Sequence, residues 1–279
     1  MPATDPVTNA AEKSAGAPLD IGLVRTGLAV QRLGSNFHYF ATIDSTNNYA
    51  RQLAERGSGE GEIVVAETQS HGRGRLGRRW ESPASANLYC SIILRPQSPP
   101  VQAPQITLMA GVALAETVGT FLPEPPTIKW PNDILVRGKK LAGILTELCG
   151  DARHVDYVIL GIGVNLNDSL AHMPAQIRQR ATSILALTHQ PVSREAFLRR
   201  LIQDLDRCYG ELEASGFDAL APRWEAHFGL RGQRVRVELL DQVILGRAKG
   251  LDRDGALLIE DDYGNLQRVI AGDVTALDE

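Results

Sequence analysis

Cysteine is scarce in this chain of 279 residues, with three copies at positions 90, 149 and 208 and no C-x-x-C pair. An odd number so spaced excludes a disulfide framework or a thiolate zinc site, and each is expected as a reduced thiol in an apolar segment. No apolar run long enough to cross a bilayer occurs, and the start, Met-Pro-Ala-Thr-Asp-Pro, lacks the basic and apolar parts of a signal peptide. Positive charge is not in excess either. The formal net charge of −4 argues against a general polyanion binder, so the expected protein is cytoplasmic with no nucleic-acid and no membrane partner. What remains is ordinary globular material: 43% hydrophobic residues can furnish one large domain and a small one.

Residues 1–18, rich in Ala, Pro, Thr and Ser, read as a disordered tail. Phe37 to Phe40 is a strand candidate, and a helix follows in which Ser45 or Thr46 can cap, Tyr49, Ala50 and Leu53 form the stripe, and Gly57 ends the run. Two strands, 62–68 and 87–94, flank a Gly/Arg loop. A helix from about Gln105 to Phe121 is apolar on every side and should be buried. Residues 127–136 and 140–148 read as a hairpin whose first strand is interrupted by Pro131-Asn132-Asp133. Within the next strand, 154–167, Gly161 and Gly163 leave room for something to pack on the backbone. The clearest helix spans 193–216, with Phe197, Leu201, Leu205, Cys208 and Leu212 on one face; its other, charged face reads as structure alone. From Gly232 the period becomes two, and five short strands predict a small antiparallel barrel, with a domain boundary near 228–232.

The loop from Gln69 to Trp80 carries the chemistry. Glycines 72, 74 and 77 free the backbone for close approach, while Arg73, Arg75, Arg78 and Arg79 supply fixed positive charge, a combination suited to an anion. Its Gly-x-Gly-x-x-Gly spacing matches a dinucleotide fingerprint, but no helix opens at Gly77 and no acidic residue stands near Gln97 to hold a ribose. That reading fails. Lys140 opens the second strand of the hairpin, where a hairpin-tip charge is the plain alternative to a ligand contact.

Ser45-Thr46-Asn47, Gln69, the 72–80 loop, Lys129-Trp-Pro-Asn-Asp133, Lys140-Leu-Ala-Gly-Ile-Leu145, Gly161-Ile-Gly-Val-Asn165 and the terminal barrel, in that order from about 20 to 279, resemble the biotin protein ligases. The resemblance implies an α+β fold: a central mixed β-sheet backed by helices, related to the class II aminoacyl-tRNA synthetase core, followed by an SH3-like barrel. It implies domains at 19–229 and 230–279. It implies an ATP-dependent ligase that activates biotin as biotinyl-5'-AMP and transfers it to a lysine of biotin carboxyl carrier domains, with Mg²⁺ shielding the departing pyrophosphate. Carried over residue by residue, Lys140, Arg75, Arg73 and Asp133 are the catalytic candidates. Ser45, Thr46, Asn47, Gln69, Arg73, Gly74, Arg75, Trp80, Lys140 and Gly143 are the biotin-binding ones. Arg75, Arg78, Trp80, Lys129, Asn132, Lys140 and Asn165 are those for the nucleotide, Asn165 facing adenine; no metal ligand is assigned. Asp133 is either base or orienter for the acceptor amine, or a turn carboxylate bonded to backbone.

Two departures stand out. The winged helix of family members that also act as repressors has no counterpart before the catalytic segment, which implies a monofunctional ligase, and residues 178–187 lack the tryptophan that some relatives place beside adenine. The rival readings are a lipoate or octanoate ligase of the same fold and a non-catalytic regulator. The Gly-Arg-Gly-Arg loop and Lys-Trp-Pro-Asn-Asp match the biotin branch. A homodimer is compatible with the sequence.

Overall fold

The computed structural model describes residues 16–239 and 242–277; most of the tail expected at 1–18 lies outside these. Seven strands form one mixed sheet: β1 (Asn36–Ile43), β2 (Glu62–Gln69), β3 (Leu88–Leu94), β4 (Thr127–Lys129), β5 (Asp133–Val136), β6 (Lys139–Gly150) and β7 (Val155–Val164). Their spatial order is β1-β2-β3-β7-β6-β5-β4, with β1 and β2 parallel and the remaining pairs antiparallel. The parallel pair exists because α2 (Thr46–Glu55), following the short α1 (Ile21–Arg25), carries the chain back across one face between the two strands.

α2 buries Ala50 and Ala54 against Val64, Ile93 and Ile159 of that face. Gly57 ends it in the left-handed region at φ 89°, as the sequence suggests; Ser45 occupies the cap position, yet its side chain makes no capping bond. The opposite face takes α3 (Pro104–Gly119), whose near-complete burial follows from apolar residues all round, and α6 (Arg194–Ser215), which packs on it. Ser193 caps α6 through Ala196 N–H. Between β7 and α6 lie the short α4 (Ala175–Arg180) and α5 (Ile184–Thr188), and α7 (Ala221–His227) follows.

One expectation is corrected here. Residues 127–136 do not form a single interrupted strand: Trp130-Pro131-Asn132 reverses the chain, so Thr127 faces Leu135 and Lys129 faces Asp133 in a tight antiparallel pair. Proline removes a ladder donor and Asn132 spends its own bonds elsewhere, which turns the chain instead of kinking it. The charged face of α6 serves structure, as the sequence suggests. Arg194 is buried and donates to Glu67 at 2.8 Å, and Asp206 accepts from the backbone N–H groups of Gln31, Arg32 and Leu33, so this face pins distant segments.

The last five strands, β8 (Arg234–Glu238), β9 (Val243–Leu251), β10 (Leu257–Glu260), β11 (Leu266–Val269) and β12 (Asp273–Ala276), form an antiparallel sheet in the order β11-β10-β9-β8-β12. Alternating burial along β9 shows the period-two pattern as a half-buried surface. This sheet sits against the β4–β5 reversal: Trp130 Nε1 donates to Gly255 O at 3.2 Å, and Gln105 Nε2 to Arg253 O at 3.3 Å. That seat brings Gly272 and Asp273 over the Gly/Arg loop.

Candidate active site

The cleft lies over the sheet where α2 begins, roofed by the Gly/Arg loop. Its floor needs backbone without side chains. A Cβ on Gly161 would meet Asn47 Oδ1 at 2.1 Å, and one on Gly163 would meet Trp80 Cε2 at 2.6 Å. The room left by these two glycines is therefore filled by the chain's own Asn47 and Trp80. Trp80 Nε1 is buried without an acceptor.

At the N-terminus of α2 a polar relay runs between strands. The Thr46 backbone N–H and hydroxyl both donate to Gln69 Oε1, at 2.9 and 3.1 Å, and Gln69 Nε2 donates to Ser82 Oγ at 3.1 Å. The buried Ser91 hydroxyl stands 2.8 Å from Thr46 Oγ1 and 2.6 Å from Asn47 Oδ1. Ser45 lines the cleft beside them.

The roof is a small hairpin. Gly74 N–H donates to Arg78 O at 2.7 Å and Trp80 N–H to Gly72 O at 3.0 Å, with Leu76 and Gly77 at positive φ in its tip. Three of the four arginines have different anchors. Arg73 pairs with Glu147 at 2.9 Å; Arg75 donates to Asn132 Oδ1 at 3.0 Å and Gly272 O at 3.2 Å; Arg78 pairs with Asp273 at 2.5 Å. Burial pulls the Arg75 guanidinium below its ordinary value, opposed by the charges of Asp133 and Asp273. Burial raises the Asp273 carboxyl, but Arg78, Lys129 and Arg75 outweigh it and hold the group below the usual range.

Lys140 closes the other wall. Its ammonium is 2.7 Å from Asp133 Oδ1 and 5.4 Å from the Trp80 ring centroid, and Gly143 leaves the space for it. Lys140 is the cation that faces Asp133 Oδ1. Arg73 and Lys140 thus share one cavity with Ser45, Thr46, Gln69 and Trp80.

Two expected residues stand apart from that cavity. Lys129 points to Asp273 at 3.9 Å, and Asn165 is buried, with Nδ2 donating to Thr182 O at 3.0 Å. Sequence reasoning missed Glu147 and Asp273. Neither belongs to a motif; each is identified only by the arginine that the fold brings to it. Burial pushes the Cys90 thiol up to about 12, and none of the three cysteines forms a disulfide.

A mixed sheet, a glycine-hinged arginine roof and a lysine wall define a class, the biotin and lipoate protein ligases, and the profile of the "Biotin/lipoate A/B protein ligase family" matches residues 39–165. The "Biotin protein ligase C terminal domain" matches residues 231–275. The chain belongs to the biotin protein ligase family. A Mycobacterium tuberculosis protein named biotin--[acetyl-CoA-carboxylase] ligase is 36% identical over 245 residues, covering 85% of this chain and 87% of that protein. The bifunctional ligase/repressor BirA of Bacillus spizizenii is 34% identical over 251 residues, 90% of this chain and 77% of the relative. Among solved structures, biotin protein ligase from Aquifex aeolicus in complex with biotin and ATP matches with a TM-score of 0.76 at 27% identity, over 88% of this chain and 100% of that one.

Proposed function

We infer that this chain activates biotin with ATP and transfers it to a lysine of biotin carboxyl carrier domains. The observation that carries the reading is the meeting of Arg73, Arg75 and Lys140 around one cavity that Thr46 and Gln69 also line. Names of the relatives support the biotin branch over lipoate.

In the first step a carboxylate attacks the α-phosphate of ATP, so two anions must approach, and the cations are there to offset their repulsion. Arg73 and Arg75 offer planar forks for carboxylate and phosphate oxygens; Lys140 offers a compact ammonium between them. Thr46, Gln69 and Ser45 supply a donor and acceptor set for the neutral ureido ring, and Trp80 packs along the ligand. Asn132 holds Arg75 in place while its own Nδ2 bonds Ile144 O at 2.9 Å. In the second step the acceptor amine must lose a proton, and Asp133, which faces the Lys140 ammonium at 2.7 Å, is the carboxylate we assign to accept or orient it. The hairpin roof keeps water from the adenylate.

Among the described residues no three His, Cys, Asp or Glu side chains converge on a metal-sized site. Mg²⁺ would enter on the nucleotide's phosphates, and no residue is assigned to it. We place the domain division at 229/230, between the end of α7 and the start of β8. No described helix is long and apolar enough to cross a membrane. The unpaired thiols support a reducing, cytoplasmic setting.

The deciding experiment is transfer of radiolabelled biotin, against lipoate, to a carrier domain with ATP. Label from biotin alone is expected; label from lipoate alone would sink the assignment.

A further inference from the structure

Glu147, in β6 at the rim of the cleft, has no part in the chemistry above, yet it is the hub of the rim. Its Oε1 accepts from Arg51 Nη2 at 2.5 Å and faces Arg73 Nη2 at 2.9 Å; its Oε2 accepts from Asn47 Nδ2 at 2.7 Å and Arg73 Nη1 at 3.2 Å. Arg73 Nη1 also donates to Asn48 Oδ1 at 3.0 Å. Both terminal nitrogens of Arg73 are thus engaged by the chain itself, although the side chain lines the cavity. An incoming carboxylate or phosphate can take this end-on Nη1/Nη2 fork, though not the Nε edge of the guanidinium, only by exchanging with Glu147.

Arg51 makes the exchange possible. When Arg73 leaves, Glu147 keeps Arg51 and the Asn47 amide, so no carboxylate is stranded without a partner. Asn47 and Arg51 lie one helical turn apart on α2, which fixes both donors on the Glu147 side of the helix. The two arginine side chains are 38% and 39% exposed against 17% for Glu147, so water screens the pairs and the exchange is shallow.

We propose that Glu147 is a positioning residue that parks Arg73 in the ligand-free chain and competes with the substrate's anionic oxygens for it, with Arg51 setting how readily Arg73 is released. The proposal rests on the reading of Arg73 as a group that meets the anionic substrate. It predicts opposite signs for two neighbouring changes. Glu147→Gln keeps an acceptor for Asn47 but removes the competing charge; Arg51→Gln leaves Arg73 as the sole cation on Glu147.

Calorimetric titration of the full chain with biotin and with uncharged biotinamide tests it. Glu147→Gln should tighten biotin by about two- to fivefold, the range for a partly exposed ion pair, and leave biotinamide unchanged. Arg51→Gln should weaken biotin by a similar factor. In an Arg73→Gln background the gain from Glu147→Gln should vanish. A merely structural role would move both ligands together. Weaker or unchanged biotin binding in Glu147→Gln, tightening of both ligands alike, tighter biotin in Arg51→Gln, or a gain that persists without Arg73 would overturn the parking role. If Arg73→Gln alone leaves the preference for biotin over biotinamide intact, the assignment of Arg73 itself falls, a result separable from the others.

Discussion

Gly163 carries the Trp80 indole directly on its backbone: a Cβ at this position would lie 2.6 Å from Cε2 and 2.8 Å from Nε1. The cleft floor is therefore set by a missing side chain, and Gly163→Ala must push the indole toward the ligand. Overpacking of a fitted site costs about 1–3 kcal/mol, so biotin affinity should fall by roughly tenfold or more. Gly210→Ala is the control, since a Cβ there meets nothing within 4 Å and alanine favours a helix interior. Titration with biotin checks both. Equal affinity in Gly163→Ala and the unchanged chain would refute the packing argument.

Asp273 ties the second sheet to the arginine roof. It pairs with Arg78 at 2.5 Å and stands 3.9 Å from Lys129, so Asp273→Asn keeps an acceptor but drops the charge that holds the hairpin shut. A partly exposed pair of this kind is worth at most about 1 kcal/mol. Limited trypsin cleavage within residues 73–79 should accelerate by up to about fivefold without ligands and return toward the parent rate once biotin and ATP are bound. No acceleration would mean that the remaining anchors, Arg75 on Asn132 and Gly272 and Arg73 on Glu147, hold the roof without Asp273.

Much of this arrangement was legible beforehand. The strand–loop–strand around Gln69 to Trp80 follows from alternating Gly and Arg between two apolar runs, and helix 104–119 from its lack of any polar face. The convergence of Arg73 with Lys140 was carried by family resemblance, because residues so far apart in the chain share no local pattern. Long-range carboxylates were invisible for the same reason. Glu147 reads as the polar member of an alternating strand, Asp273 as a turn residue, and Arg194 as helix surface until Glu67 is found 2.8 Å away. In the sequence the reversal at Trp130-Pro131-Asn132 looks like an interruption, because turn chemistry does not say through what angle the chain turns.

The buried pair of Arg194 and Glu67 makes a stability prediction with a definite sign. Burial raises the Glu67 carboxyl, but Arg194, the Leu19 N–H and Tyr39 outweigh it and hold the group below its ordinary value. A carboxylate with a depressed value in the folded chain contributes stability above the ordinary glutamate range and loses it as pH falls through the folded value. The melting temperature should therefore drop on acidification below about pH 4.5. Glu67→Gln should cost about 3 kcal/mol at neutral pH, because it strands a buried guanidinium, and should make the acid decline shallower. Melting curves from pH 7 to pH 3 read both effects. An equally steep decline in Glu67→Gln would remove this pair from the acid response.

Lys140 is the cation best placed to act between two approaching anions, held 2.7 Å from Asp133 and across the cavity from Arg73. Lys140→Ala removes that charge without touching the Thr46 and Gln69 groups on the opposite wall. Loss of one preorganised stabilising group should lower the rate of adenylate formation by about two to three powers of ten. Pyrophosphate release with biotin and ATP but no carrier domain isolates this step from transfer. If the lysine served only as a hairpin-tip charge, release would continue at nearly the parent rate. A loss confined to transfer, with pyrophosphate release intact, would move Lys140 from the first step to the second and leave Arg73 and Arg75 as the groups that meet the phosphate.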